Sequence, residues 1–472
     1  MRPRGATLSI GLLALALGSC ASIADRTEAA SASAWITLAD GSMRLAPLDV
    51  QISALPPGAG ADISVDTSQR FQRFEGYGAA ITDASAYVIQ RLPAVRRDAL
   101  LRELFGRGGG IGLNVIRIPI GASDFSRTHY TFADTPGIAE ADIAPAKTDL
   151  IPTLRAIRAI NPGLQTIASP WSAPAWMKTS GSLIKGRLDP AHHAAFSRYL
   201  VSFTKRMGAA GVPVDMLTLQ NEPHFEPADY PGMRVEPAER ARLIADHLGP
   251  LMDREIPRTK LLDWDHNWNE PDSPLAVLAD AKAAAYVDGV AWHCYGGEVT
   301  AQSLVHDRHP DKETWFTECS AGKWSGSWAD SFRWSARTLI IGAPRNWARG
   351  VVMWNLALDE SNGPHLGGCA DCRGLVTIDS RSGAITREPE YYAFAHGSRF
   401  VPVGSVRVGA TPSDPKLAVV AFQHGAGGPV TAIVLNERAA SGAVSIAIGG
   451  HLLRGDIPPG ALATFVVRLR TR

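Results

Sequence analysis

The sequence predicts an α/β architecture: a (β/α)8 TIM barrel with an attached β-sandwich formed from the N- and C-terminal segments. Three observations lead there. Strand and helix patterns alternate from about residue 74 to about residue 400. Eight short apolar segments recur in that stretch at intervals of roughly 25 to 50 residues, enough for a helix and its loops. Six of the eight end abruptly in carboxylate, amide, imidazole or indole side chains, and chance would scatter such groups.

From the N-terminus, Arg2 and Arg4, an apolar run from Ile10 to Leu17 and a small-residue tract have the layout of an export signal. The run is far shorter than the ~20 residues needed to span a bilayer. Leu17-Gly18-Ser19-Cys20 resembles a lipoprotein signal with Cys20 as the acylated residue, a reading favoured over cleavage near the small residues at 29–34. Residues 1–20 are therefore read as signal and 21–33 as tether. Export places the protein in the periplasm, on the outer membrane or outside the cell, touching a membrane only through Cys20. Residues 34–73 and 398–472 carry strand patterns split by turns, among them "KLAVVAFQH", "PVTAIVLNE", "AVSIAIGG" and "ALATFVVRL", and are assigned to the sandwich. Residues 74–397 form the barrel, with strands at 74–80, 115–120, 165–169, 216–220, 260–264, 289–293, 314–317 and 350–354. The stretch "SRYLVSFTKRMGAAG" reads as one of its helices, amphipathic and closed by Gly211. A doubly wound sheet is the alternative that periodicity alone leaves open.

Composition narrows the partners. Lys and Arg (47) nearly cancel Asp and Glu (46), so nucleic acid and anionic membrane surfaces are not the main ligands. Trp (12) outnumbers Tyr (9), and indoles stack on the apolar faces of sugars, although core packing explains most single tryptophans. Of five cysteines, Cys294 and Cys319 lie in strand-like segments, and Cys369 with Cys372 forms a CxxC for which a local disulfide suits an oxidising compartment better than zinc. No metal or cofactor is expected.

A TIM barrel collects its chemistry at strand C-terminal ends. Glu222 ends the fourth segment and Glu318 the seventh, 96 residues later, and strands four and seven face each other across the mouth. Two converging carboxylates are the minimum apparatus for breaking a glycosidic bond: one protonates the leaving oxygen, and the other attacks carbon or activates water. Asn221 is placed to bind a sugar hydroxyl, and Pro223 favours an extended backbone at Glu222. Arg117, inside apolar "VIRIP", needs a buried partner, either Glu318 or another barrel carboxylate. His293 and Tyr295 fall on one side of their strand end, able to reach sugar hydroxyls or the nucleophile. Trp171, Trp354 and Trp324 are candidate subsite walls, and Asp124 a hydroxyl ligand. "DWDHNW" (Asp263, Asp265, His266) mimics a metal site, but no third loop supplies ligands, so structural or hydroxyl-binding roles are preferred. A G-x-S-x-G elbow is absent, and "RGGGIG" lacks the rest of a dinucleotide fingerprint.

These residues resemble glycoside hydrolase family 30, the glucocerebrosidase-like enzymes. "FEGYGAAITDASA", "IRIPIGASDFS", "ASPWSAPAWMKT", "TLQNEP", "WHCY", "TECS" and "WNLALD" occur in the family's order, with "CRGLVTID" continuing the likeness. The resemblance implies a barrel plus sandwich and a retaining mechanism with Glu222 as acid/base and Glu318 as nucleophile. Asp124, Trp171, Asn221, His293, Tyr295 and Trp354 fall on the family's glycone positions. The chain departs from the lysosomal enzyme at Cys294, a tryptophan there, and at His365, an asparagine there. The leading expectation is a β-glucosidase-type hydrolase acting on glucosylceramide-like glycosides. Alternatives are an endo-β-1,6-glucanase, a β-xylosidase, or a non-catalytic carbohydrate-binding protein on the same scaffold.

Overall fold

Eight parallel strands close into a barrel in the computed structural model, which describes residues 30–469. The expected signal and Cys20 lie outside the described residues. In chain order the strands are β1 Gly76–Ala80, β2 Val115–Ile120, β3 Gln165–Pro170, β4 Met216–Thr218, β5 Lys260–Asn267, β6 Gly289–His293, β7 Glu313–Glu318 and β8 Ala348–Met353. Closure of β8 onto β1, with Gly350 beside Gly76, rules out the doubly wound alternative. The segments are those the sequence singles out. The largest differences are β4, which stops early at Thr218, and β5, which runs on to Asn267.

Strand pleating explains what fills the barrel. Val115, Ile167, Met216, Leu262, Ala291, Trp315 and Val352 point inward and pack as one apolar plug. Their neighbours Ile116, Ala168, Leu217, Phe316 and Val351 point outward into the large core shared with the helices. Two residues beyond the plug, alternation brings Arg117, Ser169, Thr218, His293, Thr317 and Trp354 to the inside, all buried. The plug is apolar; the layer above it is polar.

Two strands break the alternation. On β5, Trp264 and Asp265 take φ of +75° and +52°, and pairing with β6 skips Asp265. Such a bulge reverses the facing of the residues beyond it. Leu262 points in, Trp264 joins the outer core, and Asp265 points in three residues on. On β7, pairing jumps from Phe316 to Glu318, so Thr317 and Glu318 both reach the interior.

The helix predicted to end at Gly211 runs His193–Ala209, burying Phe196, Tyr199, Leu200, Phe203 and Met207 along one stripe. Gly211 takes φ +81° where the chain turns back, and the Val212 N–H donates to the Met207 carbonyl.

Both chain ends build one ten-stranded, mostly antiparallel sheet that folds over on itself. Ser31–Thr37 pairs with Leu462–Arg468 along its whole length, and Ile63–Phe74 lies between Ser405–Pro412 and Ala443–Ile448. Val419, Ala421, Ala432, Val434 and Phe465 fill the space between its layers, while Val420, Phe422, Ile433 and Leu435 face the barrel core. Burial on both faces is why "LAVVAF" reads as a continuous apolar run. His396, buried on helix Pro389–Ser398, bridges Thr464 Oγ1 (2.8 Å) and Thr37 Oγ1 (2.9 Å), tying barrel to sandwich. Among the described residues no helix is long and apolar enough to cross a membrane.

Candidate active site

The polar layer of the barrel is organised by Asp265. One of its oxygens accepts from Arg117 Nη2 (2.7 Å), Ser169 Oγ and Thr218 Oγ1 (2.8 Å each); the other contacts His293 Nε2 (3.0 Å) and accepts from Thr317 Oγ1 (2.6 Å). Burial alone would raise this carboxyl; the charges and hydrogen bonds around it, Arg117 foremost, hold it well below the usual carboxylate range. Arg117 also donates through Nη1 to Glu318, through Nη2 to Asn221 Oδ1 (2.7 Å) and through Nε to Ser169 Oγ (3.1 Å). Both partners expected for Arg117 are therefore present, the Glu318 carboxylate and a second barrel carboxylate. Its side chain is fully buried yet paired through every nitrogen, as a buried guanidinium must be.

Glu222 and Glu318 meet at one atom. His293 Nδ1 lies 3.0 Å from Glu222 Oε1 and 3.8 Å from Glu318 Oε1, so the two oxygens can be no farther apart than these contacts laid end to end. Glu222 also touches His266 Nδ1 at 3.3 Å, and Tyr295 Oη donates to Glu318 Oε1 at 3.0 Å. The expected extended backbone at Glu222 is corrected: its φ is +46°, in the left-handed region. Pro223 does not prevent this, because the chain leaves β4 at Thr218 and the Glu222 N–H is drawn to the Asp265 carbonyl (3.0 Å), turning the carboxylate inward.

The surroundings pull the two members of this pair in opposite directions. Burial opposes a charge on His293, but Glu318, Asp265 and Glu222 around it raise it to about 9. Arg117 and His293 thus place positive charge against the Asp265, Glu222 and Glu318 carboxyls. Burial disfavours the charge on Glu222, yet hydrogen bonds from His266 and His293 bring it down to about 2. Glu318 is pushed up by burial and by the Glu222 and Asp265 charges, against the pull of His293 and Arg117. Asp124 is raised to about 8, chiefly by burial and then by the Glu318 charge. Glu222, His266 and His293 also offer three ligand atoms within 4.8 Å of one another.

His293 gives a test on stability. Its folded value of about 9 exceeds the ordinary 6.5, so its contribution is complete below pH 6.5 and is lost as pH rises through 9. Thermal midpoints are expected to fall across that window, and His293→Gln, which cannot titrate, flattens the slope between pH 6.5 and about 9. A slope identical in the variant contradicts the assignment.

A cavity of about 650 Å³ opens over the pair, lined by Asp124, Tyr295, Trp354 and Trp324 from the predicted set. Trp171 lies a layer deeper than expected for a wall: its ring stacks on Trp354 (centroids 5.0 Å apart), with the Arg117 guanidinium 4.8 Å from its centre. Asn221 spends its carbonyl on Arg117, which fixes its amide orientation. His365 turns back to the Gly367 carbonyl (3.1 Å) and packs near Phe125. Sequence reading prefers structural or hydroxyl-binding roles for Asp265 and His266 without finding their central place, and it misses the wall residues Tyr230 and Phe225. It also leaves Cys294 and Cys319 unjoined. They form a disulfide that staples the end of β6 to that of β7, one residue after His293 and one after Glu318. Cys369 and Cys372 form the expected local disulfide, at the cavity rim.

Comparison with known proteins bears on this arrangement. Residues 74–401 match the family described as glycosyl hydrolase family 30 TIM-barrel domain. An endo-1,6-beta-D-glucanase of Neurospora crassa is 33% identical over 401 residues, covering 80% of this chain and 82% of that protein. The lysosomal acid glucosylceramidase of Mus musculus is 30% identical over 418 residues, covering 82% and 79%. Among solved structures, an endo-beta1,6-glucanase superposes with a TM-score of 0.87 at 30% identity, covering 93% of this chain and 99% of that one.

Proposed function

This chain belongs to glycosyl hydrolase family 30 and hydrolyses O-glycosyl bonds; from that premise we propose that it is a retaining endo-β-1,6-glucanase in which Glu318 is the nucleophile and Glu222 the acid/base. The observation that carries the mechanism is the convergence of both carboxylates on His293 Nδ1 beneath one cavity. A separation near 5–5.5 Å suits direct attack, whereas inverting enzymes leave room for a water at ~6.5–9.5 Å. In the first step a Glu318 oxygen bonds to the anomeric carbon, the C–O bond to the leaving sugar breaks, and Glu222 gives that oxygen a proton. In the second, Glu222 takes a proton from water, whose oxygen attacks the anomeric carbon from the face opposite Glu318 as the bond to Glu318 breaks, and the two inversions retain configuration. Chemistry thus starts with the proton on Glu222 and the charge on Glu318. The Arg117 and Tyr295 donors serve the Glu318 anion, and His293 Nδ1 stands 3.0 Å from the Glu222 oxygen.

The linkage rests on the relatives. Endo-1,6-beta-D-glucanases match at 33–34% identity, while glucosylceramidases match at 28–30%. The glucosylceramide-like substrate expected from the sequence therefore yields to its alternative, β-1,6-glucan. An exported enzyme meets such a glucan directly. A parallel assay on β-1,6-glucan, glucosylceramide and an aryl β-xyloside tests this, with fastest turnover expected on the glucan and internal cleavage giving mixed oligosaccharides. Fastest turnover on either other substrate overturns the reading. Glu222→Ala separates the two roles. On β-1,6-glucan, whose leaving sugar must be protonated, kcat/KM is expected to fall by about 10³ to 10⁴, and on an aryl β-glucoside with an activated phenol by about tenfold or less. Equal losses on both would remove Glu222 from proton transfer.

A further inference from the structure

The catalytic cavity does not end at Tyr295. A second hollow of about 470 Å³ lies beyond that ring and shares Tyr295, Ser320 and Trp324 with the first. Of the twelve tryptophans, Trp324 (54% exposed) and Trp334 (44%) are the two with large exposed faces, and both line this hollow. Tyr295, 46% exposed, stands between the two cavities. Two exposed indoles lining one hollow make the kind of apolar surface that marks a binding site.

Trp324 is also held in place. Gly322 lies directly beneath it: a Cβ there would sit 1.9 Å from the indole. The ring rests on backbone and much of the residue remains exposed, as a stacking platform requires. The groove is also lined by Ser325 and Asp330, groups that exchange hydrogen bonds with hydroxyls. Flat apolar faces with polar groups beside them match a pyranose, whose C–H faces are apolar and whose rim is hydroxyls. The route around Tyr295 suits a β-1,6 chain in particular, since each linkage has an extra rotatable C–C bond and bends more readily than a direct ring-to-ring link.

We propose that the Trp324–Trp334 groove is a second sugar-binding site, continuous with the catalytic cavity, that stacks glucosyl units of the polysaccharide lying outside the cleaved bond. It rests on the glucan reading above and makes chain length a determinant of affinity.

The test compares β-1,6-glucan with an aryl β-glucoside in steady state, and measures binding of β-1,6-gluco-oligosaccharides of increasing length to the Glu318→Ala protein. Trp334→Ala is expected to lower kcat/KM on the polymer about tenfold more than on the aryl glucoside, mainly through KM, with Trp334→Phe recovering most of the loss. Gly322→Ala, which dislodges Trp324, shifts the same ratio the same way. Oligosaccharide affinity keeps rising beyond the length that fills the catalytic cavity, and Trp334→Ala cancels that rise. An unchanged polymer-to-aryl ratio in Trp334→Ala, or affinity that stops rising once the catalytic cavity is full, overturns the groove. If the unmodified enzyme cleaves the aryl glucoside but not β-1,6-glucan, the substrate reading fails by itself. The groove is then judged by binding of β-1,3- and β-1,4-gluco-oligosaccharides to the same proteins, and absence of any Trp334-dependent affinity overturns it too.

Discussion

Replacing Glu318 with alanine is expected to lower kcat on both β-1,6-glucan and aryl β-glucosides by on the order of 10⁴ to 10⁶, because without its carboxylate no covalent intermediate forms. The fold is expected to survive. Arg117 keeps Asp265, Asn221 and Ser169 as partners, so the substitution removes a buried acid without stranding the guanidinium. Circular dichroism and a thermal midpoint within a few degrees of the unmodified protein check this. A second readout distinguishes a missing nucleophile from a damaged site. Alanine leaves space for a small anion, so added azide is expected to restore turnover of an activated aryl glucoside and to yield the α-glucosyl azide, formed by attack from the vacated face. Full activity without azide, or azide rescue giving the β-azide, contradicts the assignment.

Arg117→Met is expected to have the largest effect on stability. It leaves Asp265 and Glu318 as neighbouring buried carboxylates with one fewer cation between them, and breaking a buried pair from one side costs about 3–5 kcal/mol. Activity is expected to fall at least a hundredfold, since the guanidinium sets the positions of Glu318 and Asn221 together. Arg117→Lys recovers little of either loss. A single ammonium cannot reproduce bonds that leave the planar guanidinium from three nitrogens toward four partners. Denaturant midpoints and kcat/KM for the three proteins decide the point. A methionine variant as stable and active as its parent would show that the network is not what holds the site.

Periodicity carries the architecture because the barrel strands are short and buried on both faces, and their polar rim residues break the apolar runs. The glutamates are legible for the same reason: Glu222 and Glu318 each come just after such a run. What sequence does not supply is the facing of residues next to a bulge. Regular alternation from Leu262 sends Trp264 inward and Asp265 outward, and the structure does the reverse through two left-handed residues in mid-strand. Aspartate tolerates the left-handed region but a bulky tryptophan rarely enters it, so the sequence at Trp264 does not mark the turn. Asp265, the hub of the polar layer, is consequently legible only as one member of an ambiguous cluster. The Cys294–Cys319 bridge is hidden similarly, since pairing depends on β6 and β7 being neighbours with ends at one height. The depth of Trp171 behind Trp354 is a packing outcome that motif position does not contain.

Identity of the attacking residue can be read directly from a trapped intermediate. A 2-deoxy-2-fluoro β-glucoside with an activated leaving group slows the second step, so the first product accumulates and can be located by peptide mass spectrometry. The sugar is expected on the peptide containing Glu318, in a 1:1 ratio and in the α configuration. Label on Glu222, or a steady-state product released first as the α-anomer with no label anywhere, would contradict the account.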